Sequence, residues 1–214
     1  MILWQANLGR GVSSDEFEHN LRRLLAIAGP RAVICLQEID EADQPQEMDT
    51  VIRLARMTHR IVGRSTAVPI LVPRHLDLIG AVQTPACKGL ALFTPNRIVN
   101  EAVVRLGPDL VVTILNTHVP LLRPQTLTRR RQVRKTLRRR TRNHDHGIWV
   151  ADTNTRRGWP TMADGERSVI EAGIDKAKAW SGRRVVVSRR QSLALTIDNH
   201  DAHGARVMFE SGDA

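Results

Sequence analysis

The chain has 214 residues, 42% of them hydrophobic. That is enough for one sizeable core, and it is read as one domain, 1–214. Cys35 and Cys87 are its two cysteines. They make neither a disulfide framework nor a CxxC metal knuckle, and no run reaches transmembrane length, so a disulfide scaffold and a helical membrane span are set aside.

The opening Met1-Ile2-Leu3-Trp4-Gln5 lacks the basic-then-apolar pattern of a secretory leader. The expected setting is therefore reducing and cytoplasmic, with no membrane partner and a monomer by default. The net charge is +10, and only four of the 32 basic residues are lysine. Such a balance favours a polyanionic partner, with nucleic acid, and DNA in particular, first. Aromatic content of 3% with no tyrosine gives no platform for stacking bases.

In chain order, Ile2 to Asn7 reads as a strand, followed by the turn Leu8-Gly9-Arg10-Gly11. Ser13 and Glu16 form a capping box for a helix whose inner face is Phe17, Leu21, Leu24, Leu25 and Ala28, ended by Gly29-Pro30. Ala32 to Leu36 is a continuous apolar run, a buried strand, and it ends in Gln37-Glu38. A helix from about Gln46 to Met57, a strand from His59 to Gly63 and a loop from Ser65 to Arg74 follow. Leu76 to Gln83, Gly89 to Thr94 and Ile98 to Leu106 read as an antiparallel meander. Leu110 to Leu115 is a buried strand ending in Asn116-Thr117-His118.

Arg123 to Arg142 reads as a helix started by Pro124. Leu127, Val133 and Leu137, with Thr126 and the stem of Arg130, supply its inner face. Its outer face is arginine: Arg129, Arg131, Arg134, Arg138, Arg139 and Arg142. Like charges at i, i+4, such as Arg134 and Arg138, cost about 0.2–0.5 kcal/mol per pair. A polyanion would relieve that repulsion, so Arg129, Arg131, Arg134, Arg138 and Arg139 are the candidate nucleic-acid contacts, with arginine-rich coding bias as the rival explanation. His144-Asp145-His146 reads as a polar loop leaving this helix.

Ile148 to Ala151 is a short apolar run that stops at Asp152-Thr153-Asn154, a buried strand with polar residues at its end. A short helix near Asp164 to Ala172 is expected, then a strand opened by Gly173-Ile174-Asp175 and running through Trp180, and strands from Arg183 to Ser188, Leu193 to Ile197 and Ala205 to Phe209. No internal repeat is evident. Several strands finish in chemically useful residues: Asn7, Glu38, His118, Asp152, Asn154, Asp175 and His200. Glu38 with Asp152 or Asn154 can hold Mg²⁺, an oxygen-seeking cation. His200 paired with Asp175 can serve as a general base, and His118 can donate to a phosphate. Taken singly, Asp-Thr-Asn reads as an Asx turn and Asn7 equally well as a cap for the Gly9 turn.

Together these stretches resemble the endonuclease/exonuclease/phosphatase family. The motifs are Trp4-Gln5-Ala6-Asn7-Leu8, Leu36-Gln37-Glu38, Asn116-Thr117-His118, Val150-Ala151-Asp152-Thr153-Asn154, Gly173-Ile174-Asp175 and Asn199-His200-Asp201-Ala202. The resemblance spans essentially the whole chain. It implies an α/β (α+β) fold, a four-layer α/β/β/α sandwich of two mixed, largely antiparallel sheets, and Mg²⁺- or Mn²⁺-dependent phosphoester cleavage. Carried over residue by residue, it implies metal contacts from Glu38, Asn7 and Asn199, and catalytic roles for His200, Asp175, His118, Asp152 and Asn154. Ala151 and Thr153 replace a glycine and an aromatic of the family pattern. Asn199 stands where the family has Asp, keeping hydrogen-bond geometry but losing charge.

The expected function is a divalent-metal phosphodiesterase acting on nucleic acid, a DNA nuclease. The alternatives are a phosphatase or phosphodiesterase on a smaller phosphoester, and a catalytically degenerate nucleic-acid-binding protein.

Overall fold

Burial along the strands dictates the layering. The structure is a computed structural model describing residues 1–8, 12–39, 46–88, 96–121, 123, 126–155, 159–196 and 201–210. Strands β1 (Ile2–Asn7), β2 (Ala32–Gln37), β7 (Leu110–His118), β8 (His146–Asp152) and β10 (Asp175–Ser181) are buried along most of their length. A strand covered on both faces needs a layer above and a layer below.

One six-stranded sheet runs β11 (Arg184–Ala194), β12 (Asp201–Glu210), β1, β2, β4 (Ile70–Pro73), β3 (His59–Val62). The other runs β5 (Asp77–Cys87), β6 (Arg97–Gly107), β7, β8, β10, β9 (Arg167–Ala172). Each holds one parallel pair, β1 with β2 and β7 with β8, and the remaining pairs are antiparallel. Each parallel pair is joined through a helix, α1 (Ser14–Ala28) in the first sheet and α3 (Leu127–Thr141) in the second. A parallel connection needs such a crossover.

Three apolar clusters fill the gaps between four layers. Phe17, Leu21 and Leu24 of α1 and Met48 and Val51 of α2 (Glu47–Ala55) cover Trp4, Ile34 and Leu36 of the first sheet. Leu3, Val33, Cys35, Ile114, Val150 and Ala177 meet between the sheets. Val133 and Leu137 of α3 cover Leu115, Trp149 and Trp180. The expected four-layer sandwich is the observed one. The α1 capping box is formed as read, with Ser13 Oγ accepting from the Glu16 amide and the Ser13 amide donating to the Glu16 carboxylate.

Four expectations are corrected. The segment expected as a helix near 164–172 contains strand β9 instead, paired to β10 through the two-residue loop Gly173-Ile174, with Gly173 at φ 56°. The expected loop 65–74 contains β4, whose Pro69 and Pro73 sit before and at the end of the strand, where a missing N–H is tolerated. The strands expected at 183–188 and 193–197 are one strand, β11, interrupted by a bulge between Ser188 and Gln191. Arg129, placed on the outer face of its helix by its charge, is 6% exposed, while Leu127, placed inside, is 45% exposed. Helical phase decides this: Arg129 lies four residues before Val133 and seven before Thr136, which are both buried. The strand expected at 89–94 and the helix start at Pro124 lie outside the described residues.

Candidate metal centre

The inward-facing row of each central strand changes character toward one edge of the sandwich. On β1 it reads Leu3, Gln5, Asn7; on β2, Val33, Cys35, Gln37; on β7, Ile114, Asn116, His118; on β8, Ile148, Val150, Asp152. On β10, which runs the other way, it reads Ala179, Ala177, Asp175. Alternation with period two puts each row on one face. The space between the sheets is therefore apolar through its middle and polar at this edge.

The polar ends are joined across the sandwich. Gln5 Nε2 donates to Asp175 Oδ1 at 2.8 Å, Asn7 Nδ2 to Asp152 Oδ2 at 3.1 Å, and Gln37 Nε2 to Asn116 Oδ1 at 2.8 Å. Asn116 Nδ2 in turn faces the carbonyls of Leu36 (2.8 Å), Val68 and Pro69 (both 3.1 Å). These bonds satisfy amides that would be costly to bury alone.

Glu38, His118 and Asp152 converge at the mouth of this layer, with ligand atoms within 4.8 Å of one another. His118 Nε2 lies 3.4 Å from Glu38 Oε1 and 3.9 Å from Asp152 Oδ2. Asn154 belongs to the same cluster. Its amide N–H donates to Asp152 Oδ1 at 2.8 Å, closing an Asx turn, and its side-chain amide sits 2.8 Å from His118 Nε2 and donates to the Val119 carbonyl at 2.7 Å. Arg97 Nη1 approaches the other ring nitrogen of His118 at 3.1 Å. Glu38 and Asn154 both have left-handed backbone, at φ 60° and 49°. That conformation is uncommon for a residue other than glycine and costs about 1–3 kcal/mol where it persists. Two such residues in one cluster mark a site that the surrounding fold holds in place.

The donor set fits a hard divalent cation. Glu38 and Asp152 offer carboxylate oxygens, and Asp175 lies opposite Asp152 in the β8–β10 register. Burial pushes the Asp175 carboxyl up to about 8, and the Asp152 charge adds to the rise against the opposing Gln5 hydrogen bond. Crowded carboxylates of this kind are relieved by a cation. The Oε1 atoms of Gln5 and Gln37 are buried with no hydrogen-bond partner among the described residues, which leaves acceptors for the water that Mg²⁺ keeps around itself.

Of the residues singled out in the sequence, Asn7, Glu38, His118, Asp152, Asn154 and Asp175 meet at this edge. Asn7 is placed to steady Asp152. Asn199 and His200 lie outside the described residues; β12 begins at Asp201, and its register, Gln5 opposite His203, sets that start beside the Asn7 end of β1. Arg131, Arg134, Arg138 and Arg139 lie on α3, away from the cluster. The sequence reading missed Gln5, Gln37 and Asn116 as site-building residues. Their signal was present in strand parity: each lies two positions from a chosen residue or one before it.

α3 is tied to the site by Arg130. Its guanidinium donates to the Pro120 carbonyl and, at 3.0 Å, to the Thr153 carbonyl, and it stacks 5.3 Å from the Trp159 ring centroid. Burial lowers its pKa, with the Arg134 charge adding to the fall.

No family model matches the chain, and no curated protein matches it in sequence. Solved structures do. A humanized TDP2 of D. rerio carrying 14 mutations superposes with a TM-score of 0.76 at 16% identity, over 97% of this chain and 98% of that one. An endonuclease/exonuclease/phosphatase from Bacteroides vulgatus gives 0.74 at 13% identity, over 98% of each chain. A mannosyl-6-phosphatase of Bacteroides thetaiotaomicron gives 0.67 at 10% identity, over 98% of this chain and 100% of that one. The chain has the fold of the endonuclease/exonuclease/phosphatase proteins.

Proposed function

We propose that the protein is a divalent-metal-dependent phosphoester hydrolase that cleaves nucleic acid, DNA in the first place. The convergence of Glu38, His118 and Asp152 at the polar mouth between the sheets carries this reading. Glu38 and Asp152 would hold Mg²⁺ or Mn²⁺ through carboxylate oxygens, and Asn199 would add an amide oxygen. The bound cation supplies Lewis-acid polarisation of a phosphoryl oxygen and neutralises charge on the leaving oxygen. Asn7 and the Asn154 amide fix the two oxygens of Asp152 so that the carboxylate need not reorganise. His118 faces the phosphate, and His200, oriented by Asp175, takes the proton from the attacking water.

Nucleic acid is favoured over a small ester by the +10 charge and by the arginines of α3, whose N-terminal turns are fastened to the site through Arg130. Arg131, Arg134, Arg138 and Arg139 are the contacts of this reading. Arg129 is buried and leaves that set.

Supercoiled plasmid incubated with Mg²⁺, with Mn²⁺ and with excess EDTA, with Glu38→Gln alongside, tests the proposal. Nicking that needs metal and is lost in the variant is expected. Nicking that survives EDTA, or that Glu38→Gln retains in full, overturns it. The mannosyl-6-phosphatase among the similar structures favours a second reading, a small phosphomonoester, which hydrolysis of such esters without plasmid cleavage would select. A metal-independent gel shift with no turnover would select the degenerate nucleic-acid-binding form that Asn199 suggests.

A further inference from the structure

Helix α3 carries more positive charge than its fold uses. Its sequence, LTRRRQVRKTLRRRT, holds eight cations and no carboxylate. Arg130 is spent on the site loop, Arg129 is buried, and Arg140 pairs with Glu101. Arg131, Arg134, Lys135 and Arg139 have no carboxylate within 4 Å among the described residues. Several of them stand three or four residues apart and repel. The cations of the first turn also oppose the helix dipole.

A hollow of about 320 Å³ opens on this face, lined by Arg131, Arg134, Lys135, Arg138 and Met162, with no acidic residue among them. A second hollow, of about 630 Å³, shares Arg138 and Met162 with it and continues over Thr161 and Trp180, with Arg142, Asp145 and Asp164 in its lining. β8 runs from His146 toward Asp152 and β10 from Asp175 back toward Ser181, so Trp180 marks the end opposite the metal cluster. α3 bridges the two ends. From Arg130, bonded to the Thr153 carbonyl, to Arg138, bonded to the Thr161 carbonyl at 3.1 Å, the helix advances about 12 Å at roughly 1.5 Å per residue.

We propose that the cationic hollow holds a backbone phosphate of the strand being cut, up to about four nucleotides from the scissile phosphate, and that the adjoining hollow receives the attached nucleoside. The inference rests on the nucleic-acid reading above. A strand advances about 3.4 Å per nucleotide along a duplex, so the roughly 12 Å from Arg130 to the far wall of the hollow at Arg138 is three to four steps at most. Four cations around one hollow with no acid suit a phosphate, and guanidinium groups grip its oxygens in pairs. In the larger hollow Asp145 and Asp164 offset Arg138 and Arg142, which leaves no surplus of positive charge for a second phosphate, and the carboxylates suit the amino groups of a base. The consequence is a minimum useful length: strands long enough to reach from the metal cluster to the hollow bind tightly, and shorter ones do not.

The test is fluorescence anisotropy on the full chain in EDTA, with labelled single-stranded DNA of 2 to 12 nucleotides. We expect affinity to rise about tenfold in a step near five nucleotides. In Arg131→Gln/Lys135→Gln the gap between 12-mer and 4-mer should close, and the log–log salt slope of the 12-mer should shrink by about 0.7, the share of the one phosphate the hollow holds. Arg131→Lys/Lys135→Arg should restore the step, and thermal melting of all variants verifies their folding. A step and slope retained by the glutamine variant overturn the hollow while metal-dependent cleavage stands. Wild-type protein that binds DNA of no length overturns both the hollow and the nucleic-acid reading.

Discussion

Replacing Asn116 by leucine separates the site's scaffold from its chemistry, because among the described residues Asn116 forms no hydrogen bond with the metal cluster yet bonds across to the strand that ends just before Glu38. The substitution keeps size and removes every side-chain hydrogen bond. Four groups lose a partner: the Gln37 amide and the carbonyls of Leu36, Val68 and Pro69. Two of these are covered, since Asn100 Nδ2 also donates to the Val68 carbonyl at 2.7 Å and the Leu36 amide donates to the Pro69 carbonyl at 3.0 Å. The Gln37 amide and the Leu36 carbonyl have the most to lose. At about 1–3 kcal/mol for each buried group left unsatisfied, the loss is about 2–6 kcal/mol, a large share of a domain's stability. Urea unfolding in EDTA measures it, and Mn²⁺ titration of the folded variant reports the site. Metal affinity should fall too, because Gln37 precedes Glu38 and Asn116 lies two residues before His118. Gln37→Leu combined with Asn116→Leu should recover part of the loss, since both partners then become apolar; a coupling of about 1–3 kcal/mol is expected. Additive losses, or a single-variant loss under about 1 kcal/mol with unchanged metal affinity, would refute the idea that this bridge sets the spacing of the two sheets at the site.

Four further outcomes are expected. Gly147→Ala should destabilise by about 1–3 kcal/mol in urea, because a Cβ there would lie 2.3 Å from the Trp180 ring and 2.5 Å from the Thr113 carbonyl. Glu101→Gln should cost about 2–3 kcal/mol by the same assay, since Glu101 is buried and holds Arg140 Nε at 2.7 Å and His144 Nε2 at 3.0 Å, and Arg140 keeps some contact with water. Burial between the Thr58 hydroxyl and the Ala32 carbonyl lowers the pKa of His59 from its ordinary 6.5. The unfolded chain then takes up the proton first, so this part of the stability is complete above about pH 6.5 and is lost as pH falls below it; His59→Gln should flatten the slope in a pH series of unfolding curves. Mn²⁺ at a hundred times its Kd should stabilise the protein by about 2.7 kcal/mol, and Glu38→Gln should remove that gain at the same metal concentration.

The elements legible in the sequence were those whose signal is local. The Ser13–Glu16 box and the apolar face of α1 needed one turn of helix, and the run Ala32 to Leu36 needed one strand. β4 and β9 were not legible as strands: prolines surround the first, and the second is exposed or half-buried over most of its length, so its pairing to β10 decides its form. Arg129 shows charge misleading where helical phase was correct. At the site, Glu38, His118 and Asp152 stood out because ionisable groups ending buried runs are chemically conspicuous. Gln5, Gln37 and Asn116 carry no charge and read singly as tolerated polar residues. Their role depends on which residue faces them across the gap between sheets, and no single strand encodes that pairing.

The strand order explains why one edge gathers the chemistry. Advancing each strand number of the first sheet by six, cyclically, gives the order of the second: 11-12-1-2-4-3 becomes 5-6-7-8-10-9. The chain thus builds the same strand–helix–strand unit twice, β1–α1–β2 and β7–α3–β8, although no repeat is visible in the residues. In a parallel pair both carboxyl ends point the same way, so each unit delivers two strand ends to one edge. Stacking the units brings together Asn7 with Glu38 from one and His118 with Asp152 from the other. A cation held there would be gripped by residues from both sheets, so its binding energy would act across the sandwich, at the edge where buried amides and left-handed backbone gather. The polar layer and a cation would in this sense form one device: the amides aim the carboxylates, and the cation would offset the charge that their crowding creates.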